Sequence, residues 1–382
     1  MKKIHLTLGT ILLLTLCFNT QTIAQTAGYN FKLEKALSAT PVKNQQNTGT
    51  CWSFSTTSFV ESELIRIGQG EHDLSEMYTV RQIYLEKALN YIRRQGKAQF
   101  SEGSLSHDVI NIVRKYGAVP ESAFNGLNNG DIKYNHSELE AVLQGMLDGM
   151  IKNKGNLSNH WKNAVEAILD VYLGEVPTEF KYNEKSYDAK SFADKVLKIN
   201  PNDYIELTSY EHHPFYKACV LEIPDNFSNG FYYNVPLADL EKITDNAVTL
   251  GYTVAWDCDV SEKGFSQKNG LAILPAKSWN DMTKDEKKAA FKVPVPQMEV
   301  DQAMRQSTFD NYSTTDDHLM HITGIAKDSK GDSYYQVKNS WGERGEFDGY
   351  LYASKAYFQL KTVAVMVHKD AIPTQIKEKL GL

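Results

Sequence analysis

An α+β fold is what this 382-residue sequence predicts. Apolar residues recur at helical spacing through the first third, around Cys51. Short β-branched and aromatic runs dominate the last third. The strand–helix alternation of a doubly wound parallel sheet is missing, and a charged helical block separates the two halves.

The composition is that of an ordinary globular protein, with 42% hydrophobic and 23% charged residues and enough length for a large core or two domains. A formal net charge of −6 and the lack of a long basic run argue against nucleic acid as a partner. Lys2 and Lys3 followed by the apolar run Leu6 to Phe18, then Thr22-Ile23-Ala24, form an export signal over residues 1–24. The remaining 25–382 is expected in the periplasm or outside the cell. Leu16, bulky where a small residue precedes a lipid-bearing Cys17, argues against a lipid anchor. No other apolar run is long enough to span a membrane.

Cys51, Cys219 and Cys258 then remain, an odd number in an oxidising compartment. Cys51 is the candidate free thiol. Cys219 and Cys258 are either a disulfide or two buried thiols.

Residues 25–44 form a lead-in that ends in an extended Ala39 to Asn44. A helix follows from Cys51 to about Arg66, although Ser53, Ser55, Thr56, Thr57 and Ser58 are mediocre helix formers, so packing must hold it. Asp73-Leu74-Ser75-Glu76 reads as a cap for a helix reaching about Gln95. A small-residue loop, Gly103 to Ser106, leads to a helix face of Val109, Ile112, Val113 and Tyr116, ended by Gly117 and Pro120. The stretch 133–180 is helical and charged, closed by Gly174 and Pro177. A short helical stretch over Ser191 to Leu197 follows. Period-two runs begin at Tyr204 and include Lys217 to Ile223 and Val248 to Trp256. Residues 265–315 read as surface loop with one helix near Lys284 to Phe291. Strands close the chain: Met320 to Ala326, Ser333 to Lys338, Gly349 to Ala353 and Val363 to Val367.

The chemistry gathers at Gln45-Gln46-Asn47-Thr48-Gly49-Thr50-Cys51-Trp52. A thiol at a helix start is favoured as thiolate by the helix dipole, and the Gln45 amide is a candidate oxyanion donor. A cysteine nucleophile also needs a base and a group to orient it. His318 and His321 open one strand and Asn339 ends the next. An antiparallel hairpin sets Asn339 beside one of the two histidines, with Trp341 as a cover.

These segments resemble the papain-like cysteine peptidases, which share the order glutamine, cysteine, histidine, asparagine. The resemblance implies a two-lobed papain-like fold, a helical lobe carrying the cysteine and a β-rich lobe carrying His and Asn. By it, Gln45 is the oxyanion glutamine, Cys51 the nucleophile, His318 the base and Asn339 its orienter, with Trp341 shielding the triad. His318 is preferred to His321 because Asp317-His318 fits the family pattern, and an offset of three puts His321 on the strand's other face. Cys51 and His318 stand 267 residues apart (318 − 51), against roughly 130–150 in simple relatives, so an insertion at about 125–250 is expected. Val109 to Pro120, Leu173 to Phe180, Tyr233 to Leu237 and Trp256 to Val260 resemble the bleomycin hydrolase / aminopeptidase C branch.

That branch implies peptide substrates, an aminopeptidase, no metal or organic cofactor, and a homo-oligomer as an open expectation. Three features depart from it. Gly103-Ser104 stands where the branch has paired glycines that bind substrate backbone. The chain stops at Leu382, short of the branch's C-terminal arm, which keeps an endopeptidase open. An export signal replaces a cytoplasmic address. A catalytically silent peptide-binding relative is the alternative from another class.

Overall fold

The computed structural model describes residues 28–382. The expected export signal over residues 1–24 and Cys17 lie outside the described residues. The chain enters along strand β1 (Lys32–Ala36), inside what the sequence suggests is only a lead-in, and reaches helix α1 (Cys51–Arg66). Every residue of α1 from Cys51 to Leu64 is buried. Trp52, Phe54, Phe59, Val60 and Leu64 each contribute about 1.5–3 kcal/mol on burial, which offsets the poor intrinsic propensity of the Ser/Thr run. Helix α2 (Glu76–Arg93) starts where the Ser75 hydroxyl accepts the Tyr78 N–H. Helix α3 (Ser106–Tyr116) stops at Gly117, whose φ of 86° and close approach to the Ala189 carbonyl leave no room for a Cβ.

In the expected insertion, α4 (Ser137–Lys152) and α5 (His160–Leu173) bury Leu139, Leu143 and Leu147 and Val165, Leu169 and Leu173 at four-residue spacing. They share one core with α1, α2 and α3. A hairpin of β2 (Phe180–Tyr182) and β3 (Lys185–Tyr187) and the short α6 (Ala189–Phe192) cap this layer.

Strands β4 (Tyr204–Thr208), β5 (Lys217–Val220) and β6 (Phe231–Asn234) precede helix α7 (Leu237–Leu250). The alternating run expected over Val248 to Trp256 is therefore corrected. Val248 to Leu250 end α7, because Leu240, Ile243, Ala247 and Val248 share its buried face and Gly251 closes it in the left-handed region, with φ 97°. Only β7 (Val254–Cys258) is strand. The small strands β8 (Phe265–Ser266) and β9 (Leu271–Ala272) come next, followed by α8 (Lys284–Ala290) and α9 (Gln302–Asp310). Helix α9 lies where only surface loop was expected; its Asp301 cap accepts the Met304 N–H. Strands β10 (His318–Lys327), β11 (Ser333–Lys338) and β12 (Tyr350–Ser354), helix α10 (Lys355–Lys361), β13 (Thr362–His368) and α11 (Thr374–Leu380) complete the chain.

Eleven strands form one sheet in the order β5-β6-β4-β13-β7-β10-β11-β12-β9-β8, with β1 beside the second half of β10. Four strand spacings separate β5 from β7, so Cys219 and Cys258 stand roughly 19 Å apart. Both are free thiols, and the disulfide alternative falls. Strand β10 divides the two cores: Leu319 faces the helical layer, while Met320 and Ile322 face the core built with α7, α10 and α11.

A buried polar seam ties α1 to this sheet. Lys338, 4% exposed at the end of β11, donates to Ser58 Oγ on α1 at 2.7 Å and to Thr40 Oγ1 at 3.1 Å. Ser58 also meets His321 Nδ1 at 3.0 Å, and Thr40 donates to Glu61 of α1 at 2.5 Å. Lys338, the residue before Asn339, thus connects strand β11 with the helix that begins at Cys51. Replacing Lys338→Ala removes two buried hydrogen bonds and opens a cavity, and is expected to cost about 2–4 kcal/mol. Urea denaturation measures this; a loss below about 1 kcal/mol would show that the seam contributes little.

Candidate active site

A cleft of about 470 Å³ opens between the helical layer and the β-rich layer, and Cys51, Gln45, Gly103, Ser104, His318 and Trp341 all line it. Cys51 is the first residue of α1, 8% exposed. The Leu319 backbone N–H on β10 faces its sulfur. Elements far apart in the chain meet here because α1 packs across β10 and β7.

His318 begins β10 and is 4% exposed. Its Nε2 lies 2.7 Å from Asn339 Oδ1. That oxygen also accepts the Ser340 backbone N–H at 2.7 Å, so it is an acceptor, and the imidazole must donate from Nε2. The Nδ1 lone pair is then left for a proton from the cleft side. Asn339 is held in turn by its Nδ2, which donates to Gln267 Oε1 at 2.8 Å. The Trp341 ring stands over His318 with centroids 4.6 Å apart, and Phe265 meets Trp341 edge-on. His321 lies on the other face of β10, fully buried against Ser58 and Phe59. The hairpin geometry therefore selects His318 as the partner of Asn339.

Gln45 is 6% exposed and locked at both ends of its amide. Its Oε1 accepts from Ser340 Oγ at 2.6 Å and its Nε2 donates to Thr48 O at 2.7 Å. A primary amide carries two hydrogens on Nε2, so one remains for an oxyanion beside Cys51. Gly103 and Ser104 lie across the cleft. Ser104 has ordinary negative φ, which leaves its backbone free to bond an extended peptide, and its hydroxyl donates to Asp108 at 2.6 Å.

Sequence reasoning missed Ser340 and Gln267, which position Gln45 and Asn339. Ser340 had a signal, since it sits between Asn339 and Trp341; Gln267 had none, because its loop reaches the site only through the tertiary fold.

Burial dominates the electrostatics of the site. Burial pushes the Cys51 thiol from its ordinary 9.0 up to about 12; the Leu319 N–H opposes this, and the charges of Asp316, Asp225 and Asp257 add to it. Burial likewise pulls His318 down to about 4, against the pull of Asn339 and Asp317. Burial therefore works against the helix dipole at Cys51 and against the charged form of His318.

A family model described as the Peptidase C1-like family matches residues 11–381. Among curated relatives, "Aminopeptidase C" of Listeria monocytogenes is 26% identical over 377 residues, covering 88% of this chain and 82% of the relative. "Bleomycin hydrolase" of Gallus gallus is 26% identical over 387 residues, covering 88% and 82%. Among solved structures, PepW from Lactobacillus rhamnosis superposes with a TM-score of 0.70 at 19% identity, covering 92% of this chain and 84% of that one, a likeness of fold.

The shift of His318 makes a pH prediction. Its neutral form, able to take the thiol proton, is present above its lowered pKa and lost as pH falls through it. Alkylation of Cys51 by a neutral reagent should therefore decline as pH drops through about 4. Decline through 6.5, the ordinary imidazole value, would contradict a buried His318 next to the thiol.

Proposed function

The chain belongs to the Peptidase C1-like family, and from that premise we propose that it hydrolyses peptide bonds through Cys51, His318 and Asn339. The observation that carries this is the hydrogen bond from His318 Nε2 to Asn339 Oδ1, in a cleft that also exposes the sulfur at the start of α1. His318 Nδ1 takes the thiol proton as Cys51 Sγ attacks the scissile carbonyl carbon. The oxyanion that forms is held by the Gln45 amide and the Cys51 backbone N–H, the latter aligned with the positive end of α1. Collapse breaks the C–N bond, His318 passes its proton to the leaving amine, and a thioester remains on Cys51. Water then adds to the thioester, giving its proton to His318, and the acid leaves as the thiol re-forms. No step requires a metal or organic cofactor.

Cleavage at a free N-terminus is the favoured form of this activity. It is supported by relatives named Aminopeptidase C, Aminopeptidase G and bleomycin hydrolase over 82–83% of their own lengths. One observation favours a second reading, cleavage within a chain. Helix α11 packs Ile376 and Leu380 into the core, and among the described residues none after Trp341 lines the cleft.

Two experiments test these readings. An epoxide thiol inhibitor should label Cys51, and Cys51→Ala should abolish hydrolysis of short peptides; turnover equal to that of the parent protein would end the peptidase assignment. On matched peptides with free and acetylated N-termini, the free form should be cut at least about tenfold faster, the scale of one charged hydrogen bond. Equal rates would instead establish endopeptidase action.

A further inference from the structure

Two consecutive histidines, His212 and His213, follow β4 and do not line the cleft that holds Cys51. They lie in a turn, where neighbouring side chains can share a face, as neighbours on a strand cannot. Both rings bring Nε2 to a single atom, Glu222 Oε2 in the loop after β5. The separation is 3.1 Å from His212 and 3.0 Å from His213. The three atoms, two imidazole nitrogens and one carboxylate oxygen, lie within 4.8 Å of one another. Among the described residues no other group of His, Cys, Asp or Glu side chains converges in this way.

The positions are set from inside the protein. Asn234, fully buried, accepts the Tyr210 N–H and donates to the carbonyls of Tyr210 and His213, each at 2.8 Å. These bonds clamp the backbone of the turn. From α9, the Phe309 ring lies 10° from parallel to the His212 ring, with centroids 5.7 Å apart. The Gln306 amide, one turn earlier on α9, meets His212 Nδ1 with Oε1 at 3.2 Å and Nε2 at 3.0 Å. Oε1 already accepts the Glu211 N–H at 2.6 Å, so it can also accept Nδ1–H. With the proton on Nδ1, the Nε2 lone pair is free for a metal ion, and the outer partner fixes the ring. Glu222 stands between Leu221 and Ile223, both buried, so its backbone is anchored on either side.

The separations suit coordination. Bonds of roughly 2.0–2.1 Å in a tetrahedron put neighbouring ligand atoms roughly 3.3 Å apart, close to the two N–O separations here. Imidazole nitrogens suit zinc, copper and nickel, whereas calcium and magnesium take oxygen ligands. Two histidines and a glutamate are a donor set of zinc sites that keep a fourth position for water or an outside ligand.

We propose that His212, His213 and Glu222 bind a divalent transition-metal ion of the zinc class, at a site separate from Cys51. Gln306 and Asn234 are its positioning residues. The ion ties the turn after β4 to the loop after β5. That loop also carries Asp225, which lines the cleft, so the ion braces one cleft wall without touching the reacting atoms.

The test is calorimetric titration of the full chain with Zn²⁺, Mg²⁺ and Ca²⁺, in a Cys51→Ala background. That background removes a thiol that would itself take zinc beside His318. One equivalent of Zn²⁺ should bind, with Mg²⁺ and Ca²⁺ weaker by at least about tenfold. Losing an outer partner costs roughly 10–100-fold in metal affinity, so Gln306→Ala should weaken Zn²⁺ at least about tenfold and His213→Ala or Glu222→Ala by more. Co²⁺ gives a second readout: its visible absorption should appear in the background protein and vanish in both ligand variants. Both variants alter side chains that solvent reaches, and circular dichroism should show them folded. Zinc affinity that falls less than about tenfold in both ligand variants would overturn the site and leave a plain imidazole–carboxylate pair. So would calcium binding as tightly as zinc, or no binding of zinc at all. None of these outcomes bears on the peptidase assignment, which Cys51 labelling decides.

Discussion

The candidate site depends on one docking: α1 laid across the β10–β11 hairpin. Cys51 belongs to the helix and His318 and Asn339 to the hairpin, so any slip between them separates sulfur from imidazole. Apolar burial along α1 supplies most of the attraction, but it is non-directional and does not set the register. Direction comes from the seam of Lys338, Ser58, Thr40, His321 and Glu61, whose hydrogen bonds can form in only one alignment. The Ser/Thr content of α1, unfavourable for an isolated helix, is what allows it to enter such a seam on one face and the core on the others.

A second constraint is the treatment of charge. The site buries a thiol and an imidazole, and burial penalises the ionised form of each. In the proposed mechanism, what lowers the barrier to charge is a set of fixed dipoles: the first turn of α1, the Leu319 N–H, the Gln45 amide and the Asn339 oxygen. Each is held by a neighbour, Gln45 by Ser340 and Thr48, Asn339 by Gln267 and Ser340. Dipoles oriented before reaction do not have to reorganise during it. The charges of Asp316, Asp225 and Asp257 add to burial in opposing the thiolate.

Much of the fold could be read directly. The helices starting at Cys51 and Glu76, the helix over Ser106–Tyr116 and the strands ending at Lys338 and His368 follow from periodicity, caps and glycine stops close to where the structure has them. The errors have physical causes. Val248 and Thr249 are β-branched yet end α7, because tertiary packing of Leu240, Ile243 and Ala247 overrides local propensity. Helix α9 carries few apolar residues and is anchored by buried Arg305, whose guanidinium donates to the carbonyls of Ser209 and Gln359, a partnership absent from its own segment.

The amino-acid sequence by itself determined the residue types and their order, glutamine, cysteine, histidine and asparagine, and the alternation that puts His318 and His321 on opposite faces of one strand. Those properties are local, set by side-chain chemistry and by the period of two in an extended chain. Only the tertiary structure decided which histidine meets Asn339, that Cys219 and Cys258 are separate thiols, and that burial works against charge on Cys51 and His318. Each of those is a distance between segments far apart in the chain, or a loss of solvent around a charge, and both come into existence only when the layers pack.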